Sequence, residues 1–446
     1  MKILLYGINF APELTGIGKY TGEMAAWLVE QGHRVRVVTA PPYYPAWAIS
    51  PGYSGHAYRT QSWQGATVVR CPVWVPRQPG GLKRLLHLAS FALASLPVML
   101  GQVFWRPQVV WVVEPALFCA PTAVVVARLC GAKAWLHVQD FEVDAAFSLG
   151  LLRGAGLQRL VFGLERWLMR RFDVVSTISH RMHQRLLDKG VAPAKATVAP
   201  NWVDIEAISP SAFAALAPVW GEAPVVNHFR ALLDIAPQTV VALYSGNMGA
   251  KQGLELLAQA AALLAEAAPR FTHAPKIQFV FCGNGAGREQ LVAQCAGLTN
   301  VHFMDLQPMH LLSELLGMAD IHLLPQRADA ADLVMPSKLI GMLASGRPVL
   351  ATAHLGTELA SVVLGTATLP PELGTAPVSA LPDPCGVVVP PEQPMLFSEA
   401  LLQLAQDPDT RYQMGESARH YAETHLHVDA VLGRFVSRLE QELLLK

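Results

Sequence analysis

Residues 4–24 read LLYGINFAPELTGIGKYTGEM: an apolar run leads through a proline to Gly16 and Gly18 and then to an amphipathic run. A buried strand, a glycine turn and a helix in this order are typical of the first βα unit of a parallel sheet. Glycine lacks a Cβ, so the backbone here can approach a ligand closely, and the amino end of the helix favours an anion. The turn is therefore either a phosphate or sugar site or a tight structural turn.

The turn does not match the two common nucleotide-binding fingerprints. A dinucleotide fold places Gly-x-Gly-x-x-Gly directly after the first strand and an acidic residue at the end of the second. Here Gly18 is followed by KYT, and the second strand ends VVTAPP. A Walker A loop also fails, because Glu13 stands in place of its first glycine and Tyr20 in place of its hydroxyl residue.

The alternation of short β-branched runs with longer helical patterns continues along the chain and begins again after a pause. Examples are the strand-like runs RVRVVTA and QVVWVVE in the first half and TVVALYSG and KIQFVFCG in the second. The interruption, residues 205–237, contains several prolines and no sustained hydrophobic periodicity, which is typical of a connector. The pattern predicts an α/β protein with two doubly wound, Rossmann-like domains, residues 1–204 and 238–424.

Length and composition limit the class of protein further. The chain has 446 residues, more than a single hydrophobic core usually serves. Its 34 Lys and Arg balance 34 Asp and Glu, so no overall field attracts nucleic acid, and an anionic partner must be met by local basic residues. Six cysteines without a CxxC pair fit a reducing cytoplasm better than disulfides or zinc. The start of the chain does not resemble a signal peptide, so we expect a cytoplasmic protein.

Residues 85–105, LLHLASFALASLPVMLGQVFW, are apolar and nearly long enough to span a bilayer. His87 and the central Pro97 disfavour a span, whereas Lys83 and Arg84 in front of the stretch suit a helix that lies in the headgroup layer. Three alternatives stay open: an interfacial helix, an ordinary buried helix and a true span.

Further turns with glycine or basic residues follow strands in the second half. Residues 244–257, YSGNMGAKQGLELL, repeat the order of strand, glycine turn and helix, and Lys251 could place an ammonium beside a phosphate. In CGNGAGREQL, Arg288 stands just inside the next helix. Residues 336–338 look like a helix start, and Lys338 in the first turn opposes the helix dipole unless an anion binds there. Such turns at the carboxyl ends of parallel strands would face one crevice.

On these motifs the chain resembles, over essentially its full length, the GT-B glycosyltransferases of the retaining family 4. The resemblance is carried by GIGKYTGEMAAWLVEQGHRVRVVT, PNWVD, YSGNMGAKQGLE, FCGNGAGREQL and PSKLIGMLASGRPVLAT, in this order. Within that family, LHVQDFEVDAAFSLGLL and PAWAISPGYSG are similar to the colanic-acid type of exopolysaccharide fucosyltransferase.

The resemblance implies two Rossmann-like domains that face a central cleft, with a last helix, 425–446, that crosses back to brace the first domain. It implies that the second domain binds a nucleoside diphosphate sugar, that the first binds the acceptor, and that neither a metal ion nor a cofactor is needed. The donor-binding residues predicted at these positions are Gly16, Gly18, Asn247, Lys251, Arg288, Ser337, Lys338, Leu339 and Glu358.

Three residues are predicted to be catalytic, of which Lys338 is also a predicted donor-binding residue: His137, Asp140 and Lys338. Lys338 would meet the diphosphate. His137 ends a first-domain strand and would line the sugar pocket, the alternative being a capped core histidine. Gln139 and Asp140 compete for the same role, because related sequences often place His directly before Asp.

The chain departs from the family pattern at the phosphate positions. An arginine and a lysine are usual where Asn247 and Gln252 stand. We therefore expect the phosphate charge to be met by Lys251, Lys338 and Arg288.

A second departure concerns the ribose. The paired glutamates of the family would fall at Leu333 and Gly341, so neither is present. Because a ribose usually requires a carboxylate on its hydroxyls, Glu358 could replace them, with Asp329 or Asp332 facing the sugar.

The resemblance implies transfer of a hexose with retention, from GDP-L-fucose to a lipid-linked saccharide at the cytoplasmic membrane surface. The run LQRLVFGLERWLMRRFD would meet anionic headgroups, unless it is a solvated helix face; its basic residues are Arg159, Arg166, Arg170 and Arg171. Two other functions stay open. A sugar-nucleotide epimerase of the same architecture would form product without an acceptor, and a catalytically silent membrane scaffold would not bind nucleotide sugars.

Overall fold

The computed structural model describes residues 1–13, 16–77, 80–114, 117–141, 143–144, 147, 155–209, 227–249, 252–267, 275–328, 336–366 and 383–444. The chain divides into two compact units. The first unit is Met1–Pro200 with Leu432–Lys446, and the second unit is Asn201–Val431.

One sheet forms the centre of the first unit. Its described strands are β1 (Lys2–Tyr6), β2 (Arg34–Thr39), β3 (Arg59–Trp63), β4 (Ala66–Arg70), β5 (Val109–Glu114), β6 (Lys133–Val138), β7 (Val174–Thr177) and β8 (Ala196–Val198). They lie in the order β3-β4-β2-β1-β5-β6-β7-β8, and only β3 is antiparallel to its neighbour. Most residues of β1, β6 and β7 are buried, as expected for a parallel sheet covered by helices on both faces.

Helices connect these strands. They are α1 (Gly16–Glu30), α2 (Gly81–Gly101), α3 (Ala120–Cys130), α4 (Ala155–Met169) and α5 (His180–Asp188). The helix predicted after the glycine turn is thus present and begins at Gly16. A short 3-10 segment, Gln102–Phe104, prolongs α2. Each of the predicted strand-like runs quoted above for this half is a strand of the sheet.

A second parallel sheet forms the centre of the second unit. Its described strands are β9 (Val240–Ser245), β10 (Ile277–Cys282), β11 (Val301–Met304), β12 (Ile321–Leu324), β13 (Val349–Thr352) and β14 (Gly386–Val389). Their order is β11-β10-β9-β12-β13-β14, so the chain winds outward from β9 in one direction and then from β12 in the other. This is the doubly wound order, and the reversal between β9 and β12 is where such sheets bind ligands. The two sheets confirm the predicted α/β class.

Helices also cover the second sheet. They are α6 (His228–Leu232), α7 (Glu255–Ala267), α8 (Arg288–Gln294), α9 (Leu312–Gly317), α10 (Ser337–Ala344), α11 (Glu358–Val363), α12 (Pro394–Gln406) and α13 (Pro408–Tyr421). Within the predicted connector, Ile205 and Ile208 are buried in the core of this unit together with Leu339. Residues 210–226 of that connector lie outside the described residues.

The last helix, α14 (Val428–Leu444), follows a π-helical turn at Ala422–Leu426. From Leu432 onward it belongs to the first unit. There the Phe435 ring packs edge-on against Trp111, at 4.4 Å between centroids, and against Trp135, at 4.8 Å. The carboxyl-terminal segment is therefore part of the hydrophobic covering of the first sheet.

Candidate functional site

The predicted donor residues of the second unit follow the carboxyl ends of neighbouring parallel strands. Asn247 comes two residues after β9, and Arg288 opens α8 after β10. Residues 337–339 open α10 after β12, and Glu358 opens α11 after β13. The sheet order therefore brings these four connections to one edge, which we call the donor edge. The point at which the strand order reverses lies in its middle.

Lys338 lies at that central point. Its Nζ donates a hydrogen bond of 2.8 Å to the Tyr244 hydroxyl and stands 4.2 Å from the centroid of the Tyr244 ring. The Tyr244 hydroxyl in turn donates to the Asn247 carbonyl oxygen at 2.6 Å. Burial lowers the pKa of Lys338 to about 8. Within the described residues Lys338 has no carboxylate partner, so a half-buried cation at this point is left to be neutralised by a bound anion.

Three glycines allow the loops of the donor edge to approach each other. A Cβ at Gly246, where φ is +126°, would lie 3.7 Å from Lys338 Nζ. A Cβ at Gly283 would overlap the Gly246 carbonyl oxygen, and a Cβ at Gly285 would lie 2.6 Å from the Met248 carbonyl oxygen. The backbones after β9 and β10 are therefore in direct contact, with no side chain between them.

The amino end of α10 also suits an anion. Pro336 precedes the helix without a side-chain cap, and the first turn holds no acidic residue. Ser337 is exposed there. The Leu339 N–H, however, already donates to the Pro336 carbonyl oxygen at 3.0 Å, and the Leu339 side chain is fully buried. Of the three predicted residues, Ser337 and Lys338 are accessible to a diphosphate, whereas Leu339 contributes to the core.

The other predicted donor residues of this unit differ in availability. Arg288 forms an ion pair of 3.1 Å with Asp305, which follows the neighbouring strand β11. Asn247 is exposed, and Glu358 is half-buried at the start of α11, whose cap is the Thr357 hydroxyl.

Four of the positions predicted from the sequence lie outside the described residues: Lys251, Asp329, Asp332 and Leu333. Gly341, where the family has its second glutamate, lies inside α10, and a Cβ there would be 3.4 Å from a methyl group of Leu316.

In the first unit, the glycine turn has a structural partner. A Cβ at Gly18 would lie 2.7 Å from the Cβ of Glu13, so the buried Glu13 side chain requires glycine at this position of α1. Gly16 is exposed, has φ of +60° and faces open space. The structural-turn alternative therefore accounts for glycine at position 18, and donor binding by Gly16 and Gly18 stays a prediction.

His137 is enclosed by the core of the first unit. Its Nδ1 lies 2.8 Å from Ser176 Oγ, and Gln139 Nε2 donates to its Nε2 at 3.0 Å. The ring stacks on Trp111 at 5.1 Å between centroids. Burial lowers the pKa of His137 to about 3, so it is neutral at physiological pH. These contacts favour the core-histidine alternative, and a catalytic role for His137 stays a prediction. Asp140, two residues beyond β6, is half-buried.

Three residues that hold the predicted ones in place were not predicted from the sequence. Tyr244 lies in the motif YSGNMGAKQGLELL and is the contact of Lys338. Glu13 and Arg70 are the other two. A signal for Arg70 exists, because a charged residue at the end of the apolar run ATVVR is unusual unless it is bonded inside the protein.

Comparison with known proteins agrees with this geometry. Residues 15–202 match the model of the glycosyl transferase 4-like domain, and residues 227–421 match that of the glycosyl transferases group 1. WcaI of Escherichia coli (strain K12), a glycosyl transferase named for colanic acid biosynthesis, is 45% identical over 364 residues, which are 80% of this chain and 85% of WcaI. The chain belongs to the group 1 glycosyltransferases.

Solved structures of other glycosyltransferases share the fold of this one. Sucrose-phosphate synthase of Thermosynechococcus elongatus has a TM-score of 0.71 at 16% identity and matches over 100% of both chains. Anabaena HepE in complex with UDP-glucose has a TM-score of 0.62 at 14% identity, over 99% of this chain and 100% of HepE. The predicted GT-B fold is thereby confirmed. Among the described residues, no three His, Cys, Asp or Glu side chains are grouped closely enough to hold a metal ion.

The lowered pKa of Lys338 predicts a pH dependence for this glycosyltransferase. Between about pH 7 and about pH 9 the terminal phosphate of GDP stays ionised, whereas Lys338 loses its proton near pH 8. We expect the affinity for GDP to fall by about tenfold over this interval. Titration calorimetry of the wild type and of Lys338→Met measures it, and the variant should bind weakly without this decline. An equal decline in both proteins would contradict the assignment.

Proposed function

We propose that this chain transfers a sugar from a nucleoside diphosphate sugar, with GDP-L-fucose as the donor, to a lipid-linked saccharide during synthesis of a colanic-acid-like exopolysaccharide. The observation that carries the donor part is Lys338, a half-buried ammonium that contacts a neutral phenol and stands at the uncapped amino end of α10. The name of the Escherichia coli relative supports the exopolysaccharide. The choice of donor sugar rests on the similarity of LHVQDFEVDAAFSLGLL and PAWAISPGYSG to the fucosyltransferase type.

In this proposal the protein stabilises the leaving diphosphate. Lys338 supplies a fixed positive charge, and the free N–H groups at the start of α10 supply a positive dipole, so charge that develops on the leaving oxygen meets groups already in place. The anomeric configuration is retained, and the leaving phosphate takes the proton of the acceptor hydroxyl on the same face of the sugar. We assign no proton transfer to His137, because its lowered pKa makes the imidazole a weak base and both ring nitrogens have partners.

The donor part is tested by thermal unfolding with a panel of GDP, UDP, GDP-fucose, GDP-mannose and UDP-glucose. A ligand that binds the native state raises the melting temperature by mass action. We expect the GDP compounds to raise it and the UDP compounds to have a smaller effect. Stabilisation by UDP compounds alone would overturn the choice of GDP-fucose, and no stabilisation by any of them would favour a scaffold.

The acceptor part rests on the charge of the first unit. Residues 31–113 contain no Asp or Glu; their basic residues are Arg34, Arg36, Arg59, Arg70, Arg77, Lys83, Arg84 and Arg106. A one-sided charge over so long a segment suits an anionic surface or a lipid diphosphate. We propose that this glycosyltransferase binds the cytoplasmic face of the membrane through that segment.

Helix α2 lies within the segment and exposes an apolar stripe. Together with Gln102–Phe104, α2 is long and apolar enough to cross a membrane, judged by length and composition. No other helix among the described residues meets this criterion, and about a third of the most apolar part of α2 is buried. His87, Phe91 and Ser95 face the protein, and Ser95 Oγ lies 2.6 Å from the Tyr6 hydroxyl. The exposed side chains recur at spacings of three, four or seven residues, which places them on one face of the helix: Leu82, Leu86, Leu93, Leu96, Leu100 and Phe104.

This arrangement favours a helix that lies along the membrane surface. One face of α2 is bound to the first sheet, and the other presents leucines flanked by Lys83, Arg84 and Arg106. Helix α4 exposes Leu160, Leu164 and Trp167 as well. Two of the predicted basic residues follow this helix: Arg170 donates to the Gly190 carbonyl oxygen, and Arg171 stands 4.6 Å from the Trp167 ring.

Vesicle flotation tests this surface. We expect Leu86→Glu with Leu93→Glu to reduce partitioning onto vesicles of phosphatidylglycerol and phosphatidylethanolamine by at least about 100-fold, because two apolar contacts are replaced by charges. The matched control, Leu232→Glu with Leu355→Glu, changes two exposed leucines of the second unit and should bind like the wild type. Equal binding by both double variants would contradict the proposal.

A further inference from the structure

An aromatic loop follows β2 at the carboxyl edge of the first sheet. Residues 41–50 read PPYYPAWAIS. The loop is closed by its own hydrogen bonds, since the Ala48 N–H donates to the Tyr43 carbonyl oxygen at 3.3 Å and the Ser50 N–H donates to the Pro42 carbonyl oxygen at 2.9 Å. It is therefore an ordered surface rather than a flexible connection. Tyr43 is buried, whereas 43% of Tyr44 is exposed.

The buried Glu13 carboxylate holds this loop against the glycine turn. Its Oε1 accepts hydrogen bonds from the N–H groups of Tyr43, at 3.1 Å, and Tyr44, at 3.0 Å. Its Oε2 accepts from Asn9 Nδ2 at 3.0 Å, and its Cβ occupies the space beside Gly18. One side chain thus joins the connection after β1, the start of α1 and the connection after β2.

Arg70, at the end of β4, reinforces the same edge. It is almost fully buried, and its guanidinium donates to the carbonyl oxygens of Ala40, at 2.8 Å, and Ala11. Burial raises the pKa of Glu13, and the positive charge of Arg70 acts in the opposite direction. A buried charge is costly, so its presence beneath a surface loop indicates that the position of the loop matters for more than packing.

The loop is also attached to α2. The ring of Tyr43 packs edge-on against His87 of α2 at 4.7 Å between centroids, and Trp47 lies 5.3 Å from the same imidazole. His87 Nδ1 lies 2.6 Å from the Trp74 carbonyl oxygen. The apolar stripe, the aromatic loop and the glycine turn are therefore connected by contacts within the first unit.

We propose that Tyr44 is the acceptor-saccharide contact of this enzyme and that Glu13 is the positioning residue that fixes it beside the glycine turn. A tyrosine ring held on a rigid loop offers a flat apolar face for the C–H face of a pyranose and a hydroxyl for its polar rim. The loop belongs to the segment without acidic residues, which suits an acceptor that carries a diphosphate on its lipid side. This inference rests on the proposed function.

The experiment measures sugar transfer to an extracted acceptor pool. Membranes of an Escherichia coli K12 strain that lacks WcaI supply the lipid-linked saccharides, and radiolabelled GDP-fucose supplies the sugar. We expect Tyr44→Ala to raise the apparent KM for the membranes by about tenfold and to leave the KM for GDP-fucose unchanged. Tyr44→Phe retains the ring and should stay close to the wild type. Tyr412→Ala, a change at an exposed tyrosine of the second unit, is the control.

Variants of Glu13, alone and combined with Tyr44→Ala, distinguish a positioning role of Glu13 from a general effect on stability. Glu13→Ala should raise the KM for the membranes about tenfold or more. Glu13→Gln should keep this KM close to the wild-type value, because an oxygen still accepts from both N–H groups. Tyr44→Ala should raise the KM little further when it is added to Glu13→Ala. If Glu13→Ala does not fold, Tyr44→Ala and Glu13→Gln still decide the matter.

The outcomes are distinguishable. Three results would overturn the inference and leave the proposed function standing. They are a wild-type KM for the membranes in Tyr44→Ala, an equal rise of that KM in Tyr412→Ala, and an equal rise of the KM for GDP-fucose in Tyr44→Ala. If the wild type binds GDP but transfers nothing to the membranes, the acceptor part of the proposed function fails and the inference fails with it. If no nucleotide stabilises the protein, the donor part fails separately.

Discussion

Replacement of Lys338 by alanine is expected to weaken binding of GDP and GDP-fucose by at least about 100-fold, because a charge-assisted contact with the diphosphate is lost. The stabilisation of the wild type by saturating GDP should disappear from the thermal unfolding curve at the same ligand concentration. Turnover should fall further than binding, since the charge on the leaving diphosphate is greatest in the transition state. Titration calorimetry and initial rates measure the two effects.

The control for this variant lies at the opposite edge of the same sheet. Lys276 immediately precedes β10 and is exposed, so it lies at the amino ends of the strands, away from the donor edge. Lys276→Ala should bind GDP like the wild type. A similar loss of affinity in both variants would show that net charge, not position, determines binding, and it would contradict the assignment of Lys338.

Replacement of Gly283 by alanine is expected to destabilise the second unit by at least about 5 kcal/mol, which lowers its melting temperature by at least about 10 °C. The added Cβ would overlap the Gly246 carbonyl oxygen and would lie 2.9 Å from the Gly246 carbonyl carbon. Both contacts are with backbone at the end of β9, so no side chain can move away to relieve them. Calorimetry of unfolding measures the change.

Gly297 provides the matched comparison. Its φ is +84°, so alanine is strained there too, but a Cβ would meet nothing within 4 Å. Gly297→Ala should cost only about 1 to 2 kcal/mol. Identical melting of the two variants would mean that the loops after β9 and β10 are not in contact.

The fold could be predicted because its signals are local. Apolar runs such as QVVWVVE and KIQFVFCG each became a strand, and glycine turns between them implied parallel connections. The strand order itself was not predicted, but the expectation that turns at the carboxyl ends of parallel strands share one edge agrees with the positions of Asn247, Arg288, Lys338 and Glu358. For these residues, knowledge of the strand that each one follows was sufficient.

The details of the site depend on contacts that no local pattern shows. Lys338 meets Tyr244, which lies 94 residues earlier in the chain. Whether a histidine at the end of β6 faces a ligand or the core depends on the neighbouring strands, and Trp111 and Ser176 enclose His137. The position of His137 was predicted correctly from the sequence, but its surroundings were not.

Gly18 illustrates a related difficulty. A glycine at the start of a helix after a strand is compatible with a phosphate site and with a close internal contact, and the spacing is the same for both. The difference is made by Glu13, whose buried carboxylate is held by the N–H groups of Tyr43 and Tyr44. Since that loop is remote in sequence, the turn alone could not distinguish the two alternatives.

The central claim is that the chain moves a sugar from a nucleotide to a lipid-linked saccharide, and a single assay of transfer tests it most directly. Purified protein is incubated with radiolabelled GDP-fucose and with membranes of the Escherichia coli K12 strain that lacks WcaI, and the label in the solvent-extracted lipid is counted. Label is expected to enter the lipid only when protein, membranes and an intact Lys338 are all present. The claim is contradicted if no label enters the lipid with GDP-fucose or with radiolabelled GDP-mannose or UDP-glucose in its place. It is also contradicted if the protein converts the nucleotide sugar to another one without membranes.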